Sequence, residues 1–128
     1  MIAVDASAVL AILLQEPEAA AFKARLQAAG GLISPVNHWE VLARAYGLGG
    51  LDGALEAQHL LQDLRIEVTD LNEAASTAAF EAFVRFGKGN GGPLNLGDCF
   101  AYALAGREGQ GLLFKGDDFP RTDVKSVA

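Results

Sequence analysis

Apolar residues along the chain fall into two kinds of run. Short ones, Ile2-Ala3-Val4, Leu32-Ile33 and Leu112-Leu113-Phe114, have the length of buried strands, and Ile66-Glu67-Val68 joins them with one acid at its centre. Longer stretches space their apolar positions by three and four, as helices do. The first, Ala8–Leu14, has Ser7 as a candidate cap. The second, Glu18–Ala29, aligns Phe22, Leu26 and Ala29 behind Pro17 and stops at Gly30-Gly31. A third starts at Pro35 and runs to about Tyr46, and the glycines between Gly47 and Gly53 predict a break. Leu55, Leu60, Leu61 and Leu64 then mark one more helix. Leu71–Phe86 carries Ala75, Ala78, Ala79, Ala82, Phe83 and Phe86 on one side. After the loop from Gly87 to Pro93 comes a helix over Asp98–Ala105 that is apolar on nearly every side. A weak last strand is expected near Val124–Val127.

Short strands alternating with helices require crossover connections, hence a parallel sheet covered on both faces. The expected fold is α/β, in three layers, with a short parallel sheet of four to five strands flanked by helices. Neither an internal repeat nor a linker divides the 128 residues, so residues 1–128 read as one domain.

Composition narrows the class. Half the residues are hydrophobic and a fifth charged, which suits a globular core and excludes disorder. The longest apolar run, Ala8–Leu14, is far short of the ~20 residues that span a bilayer. The start lacks the basic stretch of a secretory signal, and the single Cys99 excludes an internal disulfide. A cytoplasmic location is therefore expected, with Cys99 a buried thiol. The formal net charge of −6 speaks against a generic nucleic-acid binder, unless part of it is a carboxylate cluster that takes up divalent metal.

In open parallel sheets, sites form where strands end at their carboxyl edge. Asp5 ends the first strand and Asp117 follows the last strong one; Glu40 lies about a turn into the helix after the second strand, and Asp98 opens the apolar helix. If the sheet is parallel, these four acids can converge. Crowded carboxylates repel unless protonated or bound to a cation. An all-oxygen set without His or Cys suits Mg²⁺ or Mn²⁺ and not Zn²⁺. The chemistry that follows is phosphodiester hydrolysis.

Each acid also has an ordinary reading. Asp5 suits a helix cap or turn, Glu40 an i,i+4 pair with Arg44, Asp98 a first-turn acid favoured by the helix dipole, and Asp117 and Asp118 a turn. Trp39 reads as core or interface rather than a stacking platform. Other motifs fail. The glycines around 47–53 do not form a dinucleotide fingerprint, the 87–93 loop is no phosphate loop, and His38 and His59 lack metal spacing.

The residues resemble a known family. Ile2-Ala3-Val4-Asp5-Ala6-Ser7-Ala8 is similar to the first strand of PIN-domain nucleases, with an acid and then a small hydroxyl two places on. Leu94-Asn95-Leu96-Gly97-Asp98-Cys99-Phe100-Ala101-Tyr102 and Leu112-Leu113-Phe114-Lys115-Gly116-Asp117-Asp118-Phe119, completed by Thr122-Asp123-Val124, resemble the matching stretches of VapC toxins. Ser34-Pro35-Val36 leading to Glu40 matches more loosely.

The resemblance implies a Mg²⁺- or Mn²⁺-dependent endoribonuclease in which Asp5, Glu40, Asp98 and Asp117 are catalytic and bind metal. Ser7 would support the metal site, with Asp118 a helper or substitute. It also implies an RNA substrate, a VapB-type antitoxin, a homodimer and a larger toxin–antitoxin assembly. Where the family carries a basic residue and His-Pro-Ala, this chain reads Asn90-Gly91-Gly92-Pro93, which removes a phosphate contact and suggests a looser loop. Lys88, Lys115 and Arg121 are the remaining candidates to face phosphate.

Two other classes share parts of the pattern. A haloacid-dehalogenase-like phosphohydrolase would use Asp5 as nucleophile. It expects a second acid where this chain has Ser7. A receiver-like binding module, without catalysis, expects paired acids at the end of the first strand and a phosphoacceptor Asp on the third; here the first strand ends in one acid, and Ile66-Glu67-Val68 is followed by Thr69-Asp70 without the matching Lys/Thr pattern.

Overall fold

The computed structural model describes residues 1–128. Strands β1 (Ile2–Val4), β2 (Gly31–Ile33), β3 (Ile66–Val68) and β4 (Leu112–Leu113) form one sheet in the order β3-β2-β1-β4. All three pairings are parallel, with Ile2 opposite Gly31, Ala3 opposite Leu112 and Gly31 opposite Ile66. Helices α1 (Ala6–Leu13), α2 (Ala19–Ala29), α3 (Pro35–Asp63), α4 (Glu73–Phe86) and α5 (Leu96–Glu108) supply the crossovers.

Strand alternation divides the core in two. Ile2 and Val4 point into one layer with Val9, Ile12, Phe22, Leu26, Val41 and Leu61 from α1, α2 and α3. Ala3 points the other way, toward Ala79 and Ala82 of α4 and Ala101, Leu104 and Ala105 of α5. Leu112 and Leu113 divide in the same manner. This is the three-layer arrangement that unbroken apolar strands require, since β1 and β4 are buried on both faces. Strand β3 is the more exposed of the two edge strands, with Glu67 and Val68 exposed, and the acid at its centre fits that place. Alanine prevails where α4 and α5 meet the sheet and each other, so these elements approach closely.

Four local details depart from the sequence reading. Helix α1 begins earlier than Ala8 and its cap is Asp5, whose carboxylate accepts the Ser7 N–H at 3.0 Å; Ser7 itself lies inside the helix. The expected break between Gly47 and Gly53 shrinks to a kink inside α3, where Gly49 and Gly50 alone leave helical geometry. The tail forms no strand; Ser126 makes one isolated parallel bridge to Leu112, and Val127 turns inward. The glycine-rich loop is also more closely held than its composition suggests. Lys88 N–H bonds to the Leu94 carbonyl at 2.8 Å and Leu94 N–H to the Phe86 carbonyl at 3.0 Å, closing its base.

The kink yields a prediction. Gly50 has φ 66° and ψ −154°, a region essentially restricted to glycine, whereas Gly49 has φ −143° with open space around its Cα. Gly50→Ala should cost about 1–3 kcal/mol in urea unfolding, while Gly49→Ala stays close to wild type. Equal stability of the two variants would show that the kink is not enforced at Gly50.

Candidate active site

The strand order reverses at β1, since the chain leaves β1 for β2 on one side and returns to it through β4 on the other. Such a reversal opens a crevice beyond the strand carboxyl ends. Here the crevice is a pocket of about 430 Å³ lined by Asp5, Ala6, Ser7, Leu10, Trp39, Glu40, Ala43, Arg44 and Asp98. Three of the four acids singled out in the sequence therefore share one cavity, although they lie far apart along the chain.

Each of the three is set in place by a local backbone motif. Asp5 follows β1, donates its N–H to the Leu113 carbonyl at 3.0 Å, and caps α1 through Oδ2. Asp98 is the third residue of α5 in a reciprocal capping box. The Asn95 side chain accepts the Asp98 N–H at 2.9 Å, and Asp98 Oδ2 accepts the Asn95 N–H at 3.1 Å. Both acids thus sit at helix N-termini, where the backbone dipole favours negative charge. Glu40 projects from the second turn of α3 and accepts a hydrogen bond from Asn37 Nδ2 at 2.8 Å through Oε1. It makes no ion pair with Arg44; the ion pairs of the molecule are Arg85–Asp123 and Lys115 with Glu16 and Glu18.

The result is a repeated pattern. One oxygen of each carboxylate is anchored to its own element, and the other, Asp5 Oδ1, Glu40 Oε2 or Asp98 Oδ1, has no protein partner. Electrostatics registers the crowding. Burial pushes the Asp5 carboxyl up from its usual range, hydrogen bonds from Ser7 hold it back, and the Glu40 charge adds to the rise. Burial likewise raises Glu40, opposed by Asn37 and reinforced by Asp98. Asp98 is raised to about 6 by burial, and the charges of Asp5 and Asp118 push the same way, while its bond to the Asn95 backbone and the Lys88 charge oppose them.

The remaining sequence candidates occupy varied positions. Asp117 and Asp118 are both exposed in the loop after β4. Asp117 does not line the pocket, and it is Asp118 whose charge reaches Asp98. The Ser7 hydroxyl accepts the Lys115 N–H at 3.0 Å, tying the loop after β4 to the start of α1. The Lys115 ammonium is engaged by Glu16 at 2.7 Å and Glu18 at 3.3 Å, so it faces away from any phosphate role as it stands. Arg121 ends the short 3₁₀ turn Phe119–Arg121, while Lys88 acts electrostatically on Asp98.

Residues not anticipated from sequence include Arg44, on the pocket wall, and Asn37 and Gly97, beneath Glu40. Trp39 is 68% exposed and lines the pocket, so the core reading of it does not hold. The buried residues of this stretch, Asn37, Val41 and Ala45, recur every four positions, and Trp39 lies off that line on the other side of the helix.

The donor set fits a hard divalent cation: carboxylate oxygens only, three of them unbonded, beside a pocket wide enough to hold water as well. As they stand, no three such side chains lie close enough together to form a ready-made metal site. Asp5, Glu40 and Asp98 would hold the cation.

A stability prediction follows from the raised carboxyls. Asp98 titrates at about 6 in the folded protein against 3.8 ordinarily, so the folded state takes up this proton first. The resulting penalty is fully present above pH 6 and is relieved as pH falls from 6 toward 4. Metal-free protein should therefore melt at higher temperature at pH 5 than at pH 7.5, and Asp98→Asn should flatten that difference. A wild-type midpoint that falls over this interval would contradict the assignment of strain to these acids.

Comparison with known proteins accords with this geometry. Residues 2–125 match the PIN domain family. The VapC ribonuclease Mb0640 of Mycobacterium bovis is 36% identical over 127 residues, covering 98% of this chain and 97% of that protein. The VapC ribonuclease R02377 of Rhizobium meliloti is 36% identical over 138 residues, covering 94% and 97%. The crystal structure of Mycobacterium tuberculosis VapC20, titled a sarcin-ricin loop cleaving toxin, superposes with a TM-score of 0.75 at 18% identity over 98% of this chain and 97% of that one, a likeness of fold. With the family match running nearly end to end and the VapC relatives aligned over almost their full length, the chain belongs to the PIN-domain family.

Proposed function

We propose that residues 1–128 act as one domain, a divalent-metal-dependent endoribonuclease that serves as the toxin of a type II toxin–antitoxin pair. The observation that carries this reading is the pocket in which Asp5, Glu40 and Asp98 each leave one carboxylate oxygen unbonded. Ribonuclease activity is what the names of the VapC relatives state of those proteins.

Bound Mg²⁺ or Mn²⁺ would lower the pKa of water beside the scissile phosphate and offset charge building on that phosphate. The protein supplies the rest. Two carboxylates at helix N-termini and a third on α3 stay ionised once a cation offsets their repulsion. Ser7 keeps the loop after β4 against α1, which holds Asp118 near Asp98. Arg44 and Lys88 are the cations best situated to meet RNA phosphates, since Lys115 is already paired. The negative overall charge is compatible with an RNA substrate because the site's own acids contribute part of it and are neutralised by metal.

The reading includes a VapB-type antitoxin and a homodimer. It is supported by apolar side chains left exposed along α3, among them Tyr46, Leu48, Leu51 and Leu55, and by Phe80, Val84 and Leu96 on α4 and α5. The apolar face of α1 is mostly core, with Ala8, Val9, Ala11 and Ile12 buried. No helix is long and apolar enough to cross a membrane.

Asp98→Asn should abolish cleavage of unstructured RNA, by at least ~10²-fold in rate, and leave the circular dichroism spectrum unchanged. Wild-type cleavage should vanish with EDTA and return with Mg²⁺ or Mn²⁺. An active Asp98→Asn variant, or cleavage indifferent to EDTA, would refute the reading. Asp117→Asn and Asp118→Asn compared in the same assay identify the fourth acid. The electrostatic reach of Asp118 to Asp98 predicts that the loss at 118 is at least as large as the loss at 117.

A further inference from the structure

The side chain of Asn37 is completely buried, and every polar atom on it is used. Its Oδ1 accepts from the Ser34 hydroxyl at 2.6 Å. Its Nδ2 donates to Glu40 Oε1 at 2.8 Å and to the Gly97 carbonyl at 2.9 Å. The amide orientation is dictated by chemistry, because a carboxylate and a carbonyl can only accept, so both bonds must come from the NH₂ end. The cap of α3 does not need this amide, since the Ser34 hydroxyl already accepts the Asn37 N–H at 3.1 Å. A buried amide costs stability that an apolar residue of the same size would not, unless its hydrogen bonds return it. Here both donors are spent on the two elements that carry Glu40 and Asp98.

Gly97 completes the arrangement. A Cβ at this position would collide with both carboxylate oxygens of Glu40. Gly97 lies in the first turn of α5, where any residue could adopt the helical backbone, so a side chain there would disturb Glu40 in its present place and not the helix. Glu40 thus lies flat against α5 with one oxygen fixed by Asn37 and the other left toward the pocket.

We propose that Asn37 is a positioning residue for the metal site: with Gly97 as its floor, it holds Glu40 against the N-terminus of α5 and so fixes the spacing between Glu40 and Asp98. The inference rests on the metal-dependent reading above. Without the amide, Glu40 is a long side chain free to swing into solvent. The cation would then lose a preorganised ligand while keeping Asp5 and Asp98. Losing a group that orients a metal ligand typically costs ~10–100-fold in metal affinity or activity.

The test follows Mn²⁺ binding to the intact protein through quenching of Trp39, the only tryptophan, which lines the same pocket. Thermal unfolding without metal and RNA cleavage across Mg²⁺ concentrations complete the set. Asn37→Ala should raise the half-saturating Mn²⁺ concentration by about tenfold or more. It should raise the half-activating Mg²⁺ concentration in parallel and retain most of kcat at saturating metal. Gly97→Ala, which keeps the Asn37 amide and displaces Glu40, should weaken Mn²⁺ in the same direction, and it decides the matter if the Asn37→Ala variant does not fold. Unchanged Mn²⁺ affinity in the folded variants, with only the melting temperature lowered, would overturn the proposal and leave Asn37 structural. Absence of saturable quenching in the wild type would instead remove the metal reading on which the proposal stands.

Discussion

Three like charges held together at the carboxyl edge of a parallel sheet are the constraint around which the molecule is organised. Carboxylates in a partly buried pocket are costly, and here the cost is visible as raised proton affinity at Asp5, Glu40 and Asp98. Nothing in the core needs them there. They stay because each has one oxygen committed to a motif that also builds the fold: the cap of α1, the capping box of α5 and the Asn37 bond on α3. Each acid is held in place by one oxygen while its other oxygen meets the crowding, so the site is ordered without being relaxed.

The architecture explains why chemistry can be placed at that edge. Parallel order brings every strand's carboxyl end to one side, and the reversal at β1 leaves a gap where α1 and α5 both start. Two helix N-termini then face a common volume, giving partial positive charge that tempers the repulsion. The alanine-rich packing of α5 over Ala3 and against α4 brings Asp98 close to the end of β1. Fold and site are in this sense one design problem: the small side chains that close the core also set the spacing of the acids.

Much of this was legible in the sequence. Unbroken apolar runs at 2–4 and 112–113 pointed to doubly covered strands, and the acids after them pointed to the sheet edge. What stayed hidden depended on contacts between distant segments. Asn37 and Gly97 are sixty positions apart and meet only through the fold, and no local spacing signals that one is the donor and the other the acceptor. Lys115 looked available because its partners, Glu16 and Glu18, lie on the opposite half of the chain. The roles of Asp5 as metal candidate and as helix cap looked like alternatives, yet one oxygen makes the cap and the other is left free for a cation. Ser7 at the position where a haloacid-dehalogenase-like enzyme expects an acid already weighed against that class, and the end-to-end PIN-domain match settles the family.

The central claim is spatial, that Asp5, Glu40 and Asp98 grip one ion between them. Crystals grown or soaked with Mn²⁺ and measured at a wavelength where manganese scatters anomalously test it most directly. The account predicts an anomalous peak within ~2.2 Å of a carboxylate oxygen from at least two of these residues, on the free oxygen of each rather than the one bonded to its own helix. A peak located elsewhere, or a pocket holding only water at millimolar manganese, would contradict it.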